Sequence, residues 1–361
     1  MTTIVLSAGG TGGHLFPAQA LAAELMRRGR KIVVMTDARG KNYNAAFPGA
    51  TIETVPSASF ADRNVVSLFL APFEIAAGII TALFKLLRLK PSAVVGFGGY
   101  PSLPVMIAAI AANIPTAVHE ANAVPGRVNR LIMDRVRRVA AALPFARLGP
   151  GDTSRIVTTG NPVRPEAAAL AGSPYETPRD RIRLLIFGGS QGARALSELV
   201  PAAIALLPAE IRARLDIVQQ CRPEDLEAVR AAYAKAGLNP KLASFFTDLP
   251  SRIAHAHLVI SRSGASTVAE LTVIGRPSIL IPFPFATDDH QTANAQVLVG
   301  AGAAWTVRQR DLTPERMAAM LTEIFSDTGE LAKRAAAARA LGKPDAAQRL
   351  ADLVDKLGEA R

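Results

Sequence analysis

The chain opens in the same way twice. Residues 3–8 form a short apolar run, followed by Gly-Gly-Thr-Gly-Gly-His at 9–14 and a helix-patterned stretch over 18–28. Half a chain later the apolar run 183–187 leads into Gly-Gly-Ser-Gln-Gly-Ala at 188–193 and a helical pattern over 196–205. A buried strand, a glycine turn and a helix are the opening unit of a doubly wound α/β domain. Two openings predict two Rossmann-like domains in series. At about 150 residues per domain, 361 residues accommodate that arrangement.

The rhythm between the openings agrees. Strands are predicted at 31–36, 51–55, 93–97, 115–119 and 155–159, and in the second half at 216–220, 257–261 and 278–282. Such apolar runs separated by helices imply parallel sheets covered on both faces. Gly160-Asn161-Pro162-Val163-Arg164-Pro165 and the polar stretch after it break the rhythm and read as a linker. The last part is helical, over 314–327, 329–341 and 346–358. With 49% apolar residues the chain is neither disordered nor collagen-like. Its single cysteine, Cys221, excludes a disulfide framework and a cysteine-based metal site, and fits a reducing compartment.

Charge is uneven. Up to Val163 there are 17 Lys and Arg against 8 Asp and Glu, whereas the remainder has 24 against 22. The basic half points to an anionic partner: nucleic acid, membrane or a phosphorylated substrate. Aromatic platforms among the basic residues are missing, which disfavours single-strand binding. The start lacks the basic region of a signal peptide. Residues 65–87 are long enough to span a bilayer, but Pro72, Glu74, Gly78 and Lys85 favour an amphipathic helix instead.

Three glycine loops, 9–14, 96–102 and 188–193, sit where strands end. Glycine lets backbone amides approach an anion, and a following helix start adds positive potential. None is a GxGxxG fingerprint with its acidic partner or a P-loop, so the plain reading as tight turns stays open for each. His14 can take a proton near neutral pH or simply cap a helix start, and position alone favours the cap. His119-Glu120-Ala121-Asn122 ends a strand, at the edge where α/β ligands bind. Ser261-Arg262-Ser263-Gly264-Ala265-Ser266-Thr267 follows a strand and starts a second helix suited to anions. Glu270 lies about a turn further on, where it either meets ribose hydroxyls or complements the helix dipole, the latter worth about 0.3–1 kcal/mol. Asp288-Asp289-His290 hints at a metal but lacks companions at ligand spacing, so solvated acids at a helix start are favoured. Gln291 offers both a donor and an acceptor to sugar hydroxyls.

Taken in order, GGTGGHLFPA (9–18), GFGGYPS (96–102), HEANAVPGRVN (119–129), TGNPVR (159–164), FGGSQGAR (187–194), SRSGASTVAE (261–270) and DDHQTANA (288–295) resemble the MurG family of bacterial peptidoglycan glycosyltransferases across nearly the whole chain. The resemblance implies a GT-B architecture, two Rossmann-like domains with parallel sheets facing across a cleft. It divides the chain into 1–163, facing acceptor and membrane, and 164–343, binding the donor, with a helix at about 344–361 packing back onto the first. It implies inverting transfer of N-acetylglucosamine from UDP-GlcNAc to the 4-hydroxyl of the muramoyl sugar of lipid I, giving lipid II and UDP. No cofactor or metal is implied, and no nucleic acid. The implied location is peripheral, on the cytoplasmic face of the plasma membrane against its anionic surface.

Carried onto this sequence, Thr11, Gly12 and Gly13 would contact donor or acceptor. Asn122, Arg164 and Ser190 would meet the sugar nucleotide, and Phe246 the uracil through its backbone. Ala265, Ser266, Thr267, Val268, Ala269 and Glu270 would form the diphosphate and ribose site, and Gln291 would hold the GlcNAc hydroxyls. His14 is the candidate base. The family often has two adjacent glutamines where this chain has His290-Gln291, which leaves His290 without a role. Other GT-B enzymes using UDP-sugars, UDP-GlcNAc 2-epimerases and a non-catalytic nucleotide- or nucleic-acid-binding protein are the alternatives.

Overall fold

Each sheet is assembled from the apolar runs, because only strands buried on both faces can be apolar throughout. The computed structural model describes residues 2–9, 12–38, 45–57, 65–146, 153–189 and 193–359. The chain forms two compact units, Met1–Arg164 with Pro344–Arg361, and Pro165–Lys343.

In the first unit the order is β1 (Thr3–Ser7), α1 (Gly12–Arg27), β2 (Lys31–Thr36), β3 (Thr51–Thr54), α2 (Val65–Leu89), β4 (Ala93–Gly96), α3 (Ser102–Ala111), β5 (Thr116–Glu120), α4 (Arg127–Ile132), β6 (Arg138–Ala141) and β7 (Ile156–Thr158). The seven strands lie in the order β3-β2-β1-β4-β5-β6-β7, and every pairing is parallel. Sequence neighbours run outward from β1 in one direction and from β4 in the other. The sheet therefore switches direction between β1 and β4, and a ligand crevice opens at such a point beyond the carboxyl ends of the strands.

The second unit repeats the plan. Its elements are α5 (Pro165–Ala168), β8 (Ile182–Phe187), α6 (Arg194–Ala205), α7 (Ala209–Arg212), β9 (Leu215–Gln220), α8 (Leu226–Lys235), β10 (Lys241–Ala243), α9 (Leu249–His255), β11 (Leu258–Ser261), α10 (Ala265–Ile274), β12 (Ser278–Leu280), α11 (His290–Gly300), β13 (Ala304–Thr306), α12 (Pro314–Ser326) and α13 (Thr328–Leu341). The six-stranded sheet runs β10-β9-β8-β11-β12-β13, again parallel, with its switch between β8 and β11.

The final helix, α14 (Ala346–Glu359), returns to the first unit. Leu350, Leu353, Val354 and Leu357 join Ile4, Leu6, Leu21 and Leu25 in one core layer. Arg28 bonds Asp352 at 2.7 Å and Asp355 at 3.1 Å, and Arg30 bonds Asp355 at 2.9 Å. The opposite layer packs α2 and α3 on the same sheet through Ala82, Leu86, Val105 and Met106.

One sequence expectation changes. The helix expected from residue 18 already begins at Gly12, so His14 sits inside its first turn rather than at the end of a loop. On α2 the residues spaced four apart, Ile75, Ile79, Leu83 and Leu87, divide between the core and the surface. Ile79 and Leu83 pack on the core, while Phe73, Ile80, Phe84 and Leu87 are 72%, 56%, 71% and 55% exposed. An apolar helix buries whichever side the sheet meets, and α2 carries apolar residues all round.

Candidate functional site

Both switch points carry the glycine motifs. In the first unit the loop after β1 meets the loop after β4 backbone to backbone. A Cβ on Gly9 would lie 2.8 Å from Pro101, and one on Gly99 would lie 3.0 Å from the Gly9 carbonyl oxygen. Gly99 also has φ +75°, a conformation that only glycine adopts readily. His14 lies against the same loop, its Cε1 3.3 Å from where a Gly98 Cβ would be. Gly12 opens α1 and Gly13 is exposed beside it, while Thr11 falls outside the described residues.

The strand end His119-Glu120 organises the next motif. Glu120 is buried, and its carboxylate accepts four hydrogen bonds. Oε1 takes the Asn122 backbone N–H at 2.9 Å and its Nδ2 at 3.2 Å; Oε2 takes the Gly126 N–H at 2.8 Å and Asn129 Nδ2 at 2.9 Å. Asn129 Nδ2 also donates to the His119 carbonyl at 3.1 Å. One carboxylate thus fixes the whole loop from Asn122 to Asn129. Sequence reasoning missed this role, because donors two, six and nine positions away meet only through the fold.

His119 is buried beside Phe97, with ring centres 5.5 Å apart, and its Nε2 lies 3.4 Å from the Gly160 carbonyl. Burial, with nearby His14 adding to it, pushes the imidazole down to about 4 against the hydrogen bond to Gly160. The ring is neutral at physiological pH and holds the TGNPVR segment to the strand end. Asn161 of that segment is buried, and neither polar atom of its amide has a partner among the described residues. Arg164 follows, half-buried.

In the second unit the loop after β8 includes Gly189 at φ +90°, and Ser190 lies outside the described residues. The loop after β11 is tied to the start of α11. Ser263 Oγ donates to the Gln291 carbonyl at 2.8 Å, and Asn294 Nδ2 donates to the Ser263 carbonyl at 3.0 Å. Gln291 Oε1 accepts from the Phe283 N–H at 3.0 Å. Asp288 and Asp289 precede it with φ +53° and +52°. Consecutive left-handed residues without glycine are strained, and strain of this kind gathers where a turn aims functional groups.

Arg262 secures the same corner. It is buried, and its guanidinium donates to the Ile281 and Pro282 carbonyls at 3.1 Å and to Gln309 Oε1 at 2.6 Å. Gly264 caps α10 without a side chain, so it leaves the first-turn amides to other acceptors. Ala265, Ser266, Thr267 and Ala269 are half-buried, whereas Val268 and Glu270 are buried. A buried carboxylate depends on the donors brought to it. Phe246 is buried under the Arg252 guanidinium, 4.2 Å from its ring centre, so one face of the ring is already covered. The neighbouring Phe245, which sequence reasoning passed over, is the exposed one.

His290 Nδ1 meets the Thr287 carbonyl at 2.8 Å, and Thr292 donates to Asp289 at 2.6 Å. Among the described residues no group of three or more His, Cys, Asp or Glu side chains could hold a metal ion. Cys221 is buried, which raises its thiol to about 11 and keeps it unreactive.

Residues 4–141 match the glycosyltransferase family 28 N-terminal domain, and residues 183–350 match the family 28 C-terminal domain. A curated protein of Rhodospirillum rubrum is 51% identical over 360 residues, covering 99% of this chain and 92% of its own length. It is named UDP-N-acetylglucosamine–N-acetylmuramyl-(pentapeptide) pyrophosphoryl-undecaprenol N-acetylglucosamine transferase. The chain belongs to the MurG family of glycosyltransferases. A relative from Rhodospirillum centenum with the same name is 50% identical, covering 98% of this chain and 94% of its own. The crystal structure of Acinetobacter baumannii MurG superposes with a TM-score of 0.83 at 31% identity, covering 99% of this chain and all of that one. A UDP-GlcNAc 2-epimerase of Neisseria meningitidis, bound to UDP-GlcNAc, shares the fold alone, with a TM-score of 0.66 at 14% identity over 99% of this chain and 100% of its own.

Proposed function

We propose that this enzyme transfers N-acetylglucosamine from UDP-GlcNAc to the 4-hydroxyl of the MurNAc in undecaprenyl-pyrophosphoryl-MurNAc-pentapeptide, releasing UDP. The observation that carries this reading is the transferase name shared by relatives at about half identity over nearly the full chain. The chemistry is a single displacement. The acceptor oxygen attacks the anomeric carbon from the side opposite UDP, the bond to the diphosphate breaks, and UDP leaves with the electron pair. The configuration inverts.

The residues divide the work. The uncapped first-turn amides of α10, Ala265 to Thr267, and Arg164 take up charge growing on the diphosphate, as fixed dipoles and a cation do at a leaving group, with Val268 and Ala269 completing that wall of the site. Glu270 accepts from the ribose hydroxyls and Gln291 orients the GlcNAc hydroxyls. The Phe246 backbone meets uracil, and Ser190 and Asn122 complete the sugar-nucleotide contacts. Thr11, Gly12 and Gly13 bring backbone amides to the reacting groups. His14, in the first turn of α1 against Gly98 and Gly99, receives the acceptor proton. This scheme uses no metal.

The acceptor is lipid-linked, so the enzyme works against the cytoplasmic leaflet as a peripheral protein. Among the described residues no helix is long and apolar enough to cross a membrane. The outward stripe Phe73, Ile80, Phe84 and Leu87, flanked by exposed Arg88 and Lys90, supports attachment through α2. Lys85 is instead engaged by Glu53. Transfer of label from UDP-GlcNAc to a lipid I analogue tests the proposal. Hydrolysis or epimerisation of the donor without transfer would refute it.

A further inference from the structure

The first unit contains a second concave surface, away from the glycine loops. A cavity of about 760 Å³ lies on the outer strands β6 and β7 beside α14. Its origin is geometric. Alternate residues of a strand share a face, and Ala140 of β6 packs in the core beneath α14, so Arg138 lies on that same face. α14 covers the sheet as far as Ala140 and leaves β7 open, with Val157 39% exposed.

The lining is strongly cationic. Arg135, Arg137, Arg138, Arg155, Arg349 and Lys356 contribute to it. Among the described lining residues the single acid is Asp352, which is already bonded to Arg28. Arg155 is held in place by donating to the Asp134 and Val136 carbonyls at 2.9 and 3.2 Å, and Arg349 by Asp345 at 2.8 Å. Ser154 and Thr158 add hydroxyls, and Leu353 and Leu357 an apolar edge. Concentrating like charges in one hollow is unfavourable for the isolated protein, and an anion removes the repulsion. Guanidinium groups match phosphoryl oxygens in pairs, so five arginines favour phosphate over carboxylate. The volume lies in the range of small-ligand sites and exceeds what a single phosphate fills.

We propose that this cavity is a binding site for a ligand carrying one or more phosphoryl groups, separate from the nucleotide-sugar site. The ligand is either a free phosphorylated metabolite or the headgroup of an anionic lipid, which present the same chemistry.

Inorganic pyrophosphate is the probe, titrated calorimetrically into the full chain with UDP held at saturation. UDP binding is measured first, so a failure of the donor assignment shows separately. The wild type is expected to bind pyrophosphate, and Arg138→Gln/Lys356→Gln to bind it roughly tenfold or more weakly. Both positions are exposed, so the fold is retained, with the single Arg138→Gln in reserve if melting shifts. Arg230→Gln/Lys333→Gln, which removes the same charge from the other unit, is expected to match wild type. Flotation on phosphatidylglycerol vesicles separates the sources: weaker flotation of the cavity variant assigns a headgroup, and equal flotation assigns a free ligand. Absence of pyrophosphate binding at millimolar concentration overturns the proposal. So does equal affinity in wild type and cavity variant, or equal weakening in both double variants.

Discussion

Glu120→Gln separates the loop-organising carboxylate from the chemistry of transfer. Each oxygen of Glu120 accepts two donors, the Asn122 pair on one side and Gly126 with Asn129 on the other. A glutamine can turn its amide either way, but one end is always an NH₂ facing two donors. Two of the four bonds are therefore lost in both orientations. At about 1–2 kcal/mol for each stranded donor, the loop loses about 2–4 kcal/mol of local stability. Hydrogen exchange followed by mass spectrometry reads this directly. The peptide containing residues 119–129 is expected to exchange roughly 30- to 1000-fold faster than in wild type. Because Asn122 of this loop is assigned to the sugar nucleotide, UDP-GlcNAc affinity and turnover are both expected to fall. Unchanged exchange in that peptide would refute the reasoning, because it would mean that a neutral side chain satisfies all four donors.

Glu270→Ala is expected to weaken UDP-GlcNAc binding by about 1–3 kcal/mol, read from the Michaelis constant or calorimetry; unaltered kinetics would remove it from the donor site. His14→Ala is expected to cut turnover roughly 10²- to 10⁴-fold with UDP affinity preserved, and the reverse pattern would make it a loop-shaping residue. Burial pushes both His119 and His257 down to about 4, and His257 Nδ1 accepts from the Arg183 N–H at 3.1 Å, a bond that protonation removes. Their folded values lie below the unfolded value near 6.5, so stability is full above pH 6.5 and falls as pH drops towards 4. For His119 the loss is about 3 kcal/mol, measured by denaturant titration at successive pH values; a flat profile between pH 7 and 4.5 would contradict it. Changing Phe73, Ile80 and Phe84 to Ser is expected to abolish flotation on anionic vesicles while sparing transfer to a short-chain soluble acceptor, and undiminished flotation would place the contact elsewhere.

Composition revealed the buried strands because burial on both faces leaves few polar residues to confuse the pattern. Lys31–Thr36 matches its expectation residue for residue, and Ile182–Phe187 begins only one residue early. Arg138–Ala141, Lys241–Ala243 and Ala304–Thr306 escaped notice because they are short and two of them begin with a charged side chain. On α2, periodicity identified a helix apolar on more than one side but did not assign the covered one. Where apolar residues surround the axis, only the packing partner decides which of them are covered. The glycine and SRSG motifs could be read as ligand loops, but not the Ser263–Gln291–Asn294 link between distant segments. Nor could sequence foresee that the Asn161 amide has no partner among the described residues.

The return of α14 inverts the order of making and finishing. Leu350, Leu353, Val354 and Leu357 complete a layer begun by Ile4 and Leu6, yet the ribosome adds them after all of residues 165–343. The second unit is contiguous and can mature while the first still exposes the apolar side of α1. During synthesis that side is the nascent chain's vulnerable surface, and Arg28 and Arg30 are waiting anchors for Asp352 and Asp355. A chaperone that shields emerging apolar helices would therefore matter most to the half of the enzyme that is translated first.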